Sequence, residues 1–135
     1  MTDVMKTSDN SVWIEANEHD QMIENLRDAG FFVIEFDGGE SAAAFFEEVK
    51  DKLPLDPPLS GRVNWNAFSD SLWSGLNDLA AEAVVVVWRG ASRLQHADSW
   101  SFAVAQDIFA EVASQLNRGM YGAKKKIIRI IFERE

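Results

Sequence analysis

Residues 83–88 read AVVVVW, followed by Arg89-Gly90. Four consecutive valines beside a tryptophan show no alternation of polar and apolar side chains. A strand with this composition has to be covered on both faces, which is the pattern of a strand inside a parallel sheet. Working outward, FFVIEF at 31–36 is also too apolar for a solvent-facing edge, and it closes in the turn DGGES at 37–41. KKIIRIIFE at 125–133 reads as the last strand. The segments between these strands have helical periodicity. In AAAFFEEVKDKL (42–53), Ser41 is placed to cap the start, Phe46, Val49 and Leu53 face inward, and Glu48 and Lys52 sit four apart outside. In SWSFAVAQDIFAEVASQL (99–116), Phe102, Ala105, Phe109, Val112 and Leu116 form one face, and NRG supplies the stop.

Strands alternating with helices pair in parallel, so the expected fold is α/β: a small three-stranded parallel sheet covered by helices, in a single domain over 1–135. Residues 1–30 read as an N-terminal extension. It contains a helix over 18–29, with Met22, Ile23, Leu26 and Ala29 at helical spacing, Asn17 as a cap and Gly30 as a stop; SVWIE at 11–15 is a possible short strand before it. The segment PLDPPLSGR (54–62) carries all three prolines of the chain and cannot be helix interior, because proline removes a backbone donor and forces its predecessor toward extended backbone.

Composition narrows the function classes. A length of 135 residues fits one compact core. The chain has no cysteine, which removes disulfides, thiolate catalysis and most structural zinc sites. No apolar run approaches a membrane span and the N-terminus lacks the charge and apolar pattern of a secretion signal, so a cytoplasmic location is expected. The net charge is −9, and residues 1–60 hold 14 of the 22 acids but only four of the 13 Lys and Arg. Such a surface disfavours direct nucleic-acid binding and suits a basic partner, although an acidic surface also serves solubility.

The loop leads into VNWNAFSDSLWSGLND, residues 63–78. At 100° per residue, Trp65, Phe68, Leu72, Leu76 and Leu79 fall in one buried stripe, with Asn64 as the N-cap. The opposite side carries Asn66, Asp70, Ser74 and Asn77, with Trp73 on its flank. That side lacks the Lys and Glu of an ordinary solvated helix, and a polar face with a border tryptophan suits protein binding. A solvated helix whose Trp73 tucks under the following loop is the other reading.

The run GRVNWNAFSDSL (61–72) resembles the barstar-like family, in which a glycine precedes an Asn-Trp-Asp-Ala run and a later aspartate at the start of a core helix. The order of strands and helices over residues 12–132 is similar too. The resemblance implies an intracellular inhibitor of a secreted, basic ribonuclease, whose active site this helix and the preceding loop would plug, with carboxylates standing where RNA phosphates bind. It implies that Asp70 is the central inhibitory aspartate. Asn64, Trp65, Asn66 and Ser69 match neighbouring contact positions, and Glu111 with Gln115 matches a supporting acidic pair on the long helix. The chain departs from the pattern at Asn66 and Gln115, where the family carries acids, at Ser69, where some members carry tryptophan, and at Val63, which is inserted. A register centred on Ser74 would lose the aspartate.

Enzyme chemistry is not expected. His19 and His96 lack a nearby nucleophile pattern, DGGE at 37–40 has too few glycines and the wrong continuation for a dinucleotide fingerprint, and adjacent carboxylates such as Glu47 and Glu48 diverge on a helix. Neither a cofactor nor a metal is expected, and no heptad or apolar stripe calls for a second copy, so a monomer is expected when free. A toxin other than a ribonuclease, or an interaction module using KKKIIR at 124–129 against RNA or an acidic partner, are the alternatives; a basic strand entrance that balances an acidic body is the simpler account of that run.

Overall fold

The computed structural model describes residues 10–135; the first nine residues of the expected extension lie outside the described residues. The strands are β1 (Ser11–Glu15), β2 (Phe32–Asp37), β3 (Ala83–Arg89) and β4 (Ile127–Arg134). They form a parallel sheet in the order β1-β4-β3-β2. The expected count of three strands is therefore corrected to four. SVWIE, read as a short strand of the N-terminal extension, is an edge strand in register with β4, Trp13 opposite Phe132, and its place in the sheet was not legible because that partner is more than a hundred residues away.

The valine run behaves as read. Val84, Val85, Val86, Val87 and Trp88 are all fully buried because both faces of β3 are covered. On one face pack α2 (Ala42–Lys52), α3 (Trp65–Asp78), α4 (Ala91–Ala97) and α5 (Ser99–Asn117), around Phe36, Phe45, Phe68, Trp88, Phe109 and Phe132. On the other face lies α1 (His19–Asp28), with Met22, Ile23 and Leu26 against Ile14, Val85, Val87 and Ile131.

Capping explains where several helices begin. The Ser41 hydroxyl accepts the Ala44 N–H at 3.0 Å, and Asp98 accepts the Ser101 N–H at 3.1 Å, each satisfying a donor that the first helical turn leaves free. Asn17 does not cap α1 as expected. It lies within a 3-10 turn over Ala16–Glu18, and Glu18 occupies the cap position without a side-chain bond. The expected Glu48–Lys52 pair is also replaced, since Glu48 accepts the Asp37 N–H at 3.3 Å. The turn after β2 needs its glycine for space: a Cβ on Gly38 would come within 2.4 Å of the Trp88 indole. The short helix α4 starts after Gly90, whose φ of 65° is left-handed.

Candidate protein-binding face

The site is built on α3, and α3 is fixed from three sides. At its start the Asn64 Oδ1 accepts the Ala67 N–H at 3.0 Å. Along its inner side Phe68, Leu72 and Leu76 are completely buried. Trp65, expected both in the buried stripe and at the interface, packs its half-buried ring on Phe46 at 4.9 Å and Phe45 at 5.7 Å, so it belongs to the rim of the core. The third contact is the proline loop. The Asp56 N–H donates to the Ser71 carbonyl at 3.0 Å, and a Cβ on Gly75 would meet the Pro54 carbonyl oxygen at 1.7 Å. Ser71 and Gly75 are therefore buried as well, which widens the inner stripe beyond the residues the periodicity picked out.

The outer side of α3 meets α5 and the turn that follows it. Ser69, Asp70, Trp73 and Ser74 from α3, Glu111 and Gln115 from α5, and Tyr121 together line one open cleft of about 520 Å³. Five of the eight residues singled out in the sequence thus converge: Ser69, Asp70, Trp73, Glu111 and Gln115. The other three do not line it. Asn66 is exposed, Trp65 is on the core rim, and Asn64 lines a separate depression with Pro57, Pro58, Gly61 and Arg62.

Chemically the cleft is an anionic surface bordered by two aromatic rings, Trp73 and Tyr121. Asp70 and Glu111 supply its two carboxylates, and no cation lines it. Neither carboxylate takes part in an ion pair among the described residues. The Gln115 Nε2 donates to the Glu111 Oε1 at 3.1 Å, which orients that carboxylate from one turn away. The Trp73 indole Nε1 is shielded from water without a hydrogen-bond partner. Among the described residues no group of three or more His, Asp or Glu side chains is arranged to hold a metal.

Asn77, from the outer side of α3, and Lys126 are committed to internal contacts. The Asn77 Oδ1 accepts the Lys124 N–H at 3.0 Å. Lys126, from the basic run, is buried, with its Nζ donating to the carbonyls of Leu79 at 2.5 Å and Ala81 at 2.7 Å. Burial first, and then the neighbouring Lys124 charge, hold the Lys126 ammonium pKa below the ordinary lysine value. The run is thus partly a clamp between the two ends of the α3–β3 connection. Tyr121 was missed: the signal was an aromatic in the exposed setting Gly119-Met120-Tyr121-Gly122, passed over as the continuation of a helix stop.

The family model described as Barstar (barnase inhibitor) matches residues 29–132, and the chain belongs to that family. The match begins after α1, so β1 and α1 fall outside it although β1 completes the sheet. No curated protein and no solved structure matches the chain.

Proposed function

We propose that this chain inhibits a basic secreted ribonuclease, or a toxin with a similarly cationic active site, by inserting the outer side of α3 into that site. The observation that carries the reading is the convergence of Asp70, Glu111 and Trp73 in one cleft without a compensating cation. A ribonuclease active site collects Lys and Arg to hold phosphates. A carboxylate delivered there on a helix replaces water with charge-assisted hydrogen bonds. Because α3 is held by its core stripe, its cap and the proline loop, little ordering entropy remains to be lost on binding.

Asn66 and Gln115 replace acids of the family pattern and leave two carboxylates at the face, a smaller charge than the family motif offers. This substitution favours a partner whose cation arrangement differs from that of the usual family target, since specificity is a difference between affinities set at a few contacts.

The test is capture of partners from the source organism's secreted proteins with the wild-type chain, Asp70→Ala and Asp78→Ala, followed by binding kinetics on whatever is captured. Asp70→Ala is expected to weaken binding by at least about 30-fold, mainly through faster dissociation, while Asp78→Ala stays within about threefold. Equal, small losses would sink the proposal. A captured protein with nuclease activity blocked by the wild-type chain distinguishes ribonuclease from other toxins.

A further inference from the structure

The turn after α5 contains a residue that neither its backbone nor its packing explains. Tyr121 sits at φ 58°, ψ 36°, in the left-handed region where glycine or asparagine rests without strain. Glycines already flank it at Gly119 and Gly122, with φ of 64° and 75°. Its side chain is 73% exposed and makes no aromatic pair among those of the described residues, so the core gains nothing from the ring. Yet that ring borders the cleft with Asp70, Trp73 and Glu111. Tyrosine in a strained, exposed position beside a candidate interface points to use by a partner.

The turn is also built to stay in place. The Ala123 N–H donates to the Met120 carbonyl at 3.0 Å and the Lys126 N–H to the Leu116 carbonyl at 3.2 Å. The Lys124 N–H reaches Asn77 on α3, and the Lys126 ammonium reaches the Leu79 and Ala81 carbonyls. Lys125 lines a different depression, with Glu82 and Arg129, and Lys124 does not line the cleft, so neither cancels its charge from within.

We propose that Tyr121 is a specificity-determining contact, and that with Asp70, Glu111 and Trp73 it forms a receptor for an arginine side chain of the partner. The inference deepens the inhibitor reading and rests on its premise that this face meets a basic protein. A guanidinium is planar and weakly hydrated; it accepts stacking from an aromatic ring on its face while its edge donates two parallel hydrogen bonds to a carboxylate. A lysine ammonium, compact and strongly hydrated, uses the carboxylates but gains less from the ring. The cleft offers both elements, and the Tyr121 turn adds to α3 and α5 a third wall that comes from neither helix.

The experiment uses the full chain, isotope-labelled, titrated by NMR with N-acetyl-arginine amide and with N-acetyl-lysine amide, alongside thermal melts. The arginine probe is expected to shift the Tyr121 ring, the Trp73 indole and the Asp70 and Glu111 signals, with at least about threefold tighter binding than the lysine probe. Tyr121→Gly is expected to lose that preference while melting at the same or a higher temperature, because glycine suits the backbone; Tyr121→Phe is expected to keep it. An arginine probe that binds no better than lysine, or a Gly variant that keeps the preference, overturns the proposal. The two readings fail separately: unchanged partner capture by Asp70→Ala removes the inhibitor reading, whereas the absence of an arginine preference in the free wild-type chain removes the arginine receptor and is read without any partner.

Discussion

The face of the sheet under α2, α3 and α5 is filled by rings, with Phe36, Phe45, Phe68, Trp88, Phe109 and Phe132 all 2% exposed or less. The face under α1 has a different filling: Ile14, Met22, Ile23, Leu26, Val85, Val87 and Ile131, and at its edge an imidazole between two carboxylates. His19 Nδ1 lies 2.5 Å from Glu133 Oε2, and its Nε2 lies 2.8 Å from Glu35 Oε1. Both ring nitrogens face carboxylate oxygens, one from β4 and one from β2. The difference teaches how rigidity is distributed. Interlocked rings tolerate little displacement, so the helix that presents Asp70 is set on the face that deforms least. The helix α1, remote from the cleft, is held in part by these polar contacts, which are specific but conditional on both partners.

The largest effect should come from the ring-filled face. Phe45 touches Phe36, Phe46, Trp65, Phe68, Trp88 and Phe109. Phe45→Ala is expected to cost about 3–5 kcal/mol in urea unfolding and to weaken partner binding as α3 loses its seat. On the other face, His19→Ala removes the partner of a glutamate that is only 4% exposed, and about 3 kcal/mol should be lost with partner binding unchanged. A neutral His19→Ala would break the comparison, since α1 would then be held by its aliphatic contacts alone.

The smallest effect separates this histidine clasp from the ion pairs at the carboxyl ends of the strands. There Arg93 bonds Asp37 and lies 3.2 Å from Glu135. Burial pushes the Asp37 carboxyl up, but the Arg93 bond, the Gly39 N–H and the Arg93 and Arg89 charges outweigh it and hold the carboxyl below its ordinary value. A carboxyl whose folded pKa is depressed contributes stability that is complete above the unfolded value, about 4, and is lost as pH falls through the folded one. Because Asp37 is half-exposed, the loss should be a few tenths of a kcal/mol. Urea midpoints of wild type and Asp37→Asn should therefore converge on lowering pH below about 4; curves that stay parallel would remove Asp37 from the acid response.

How much of this was legible in the sequence follows the range of the interactions. The valine run, the Ser41 and Asn64 caps and the inward residues of α5 are local signals, and each appears where it was read. Ser71 and Gly75 were not legible as buried, because the Pro54–Asp56 backbone that covers them reaches α3 only in the folded chain. The strand β1 shows an unremarkable five-residue pattern until β4 lies beside it. Of the candidate cleft, Asp70 and Trp73 were legible from their place on the outer side of the helix, and the resemblance pointed to Asp70 again and to Glu111. Tyr121 was not, since nothing in Gly-Met-Tyr-Gly tells how that turn is aimed.

The pairing of β1 with β4 also sets a schedule. β4 lies between β1 and β3 in the sheet and is the last of the described strands to leave the ribosome. Until Phe132 emerges, β1 has no neighbour, the β4 edge of β3 is bare, and the rings behind α3 lack one of their walls. Domains fold as units during synthesis, at about 5–20 residues per second, so the face on α3 matures only after β4 has left the tunnel. Any contact made through α3 therefore waits on β4, the strand that closes the sheet.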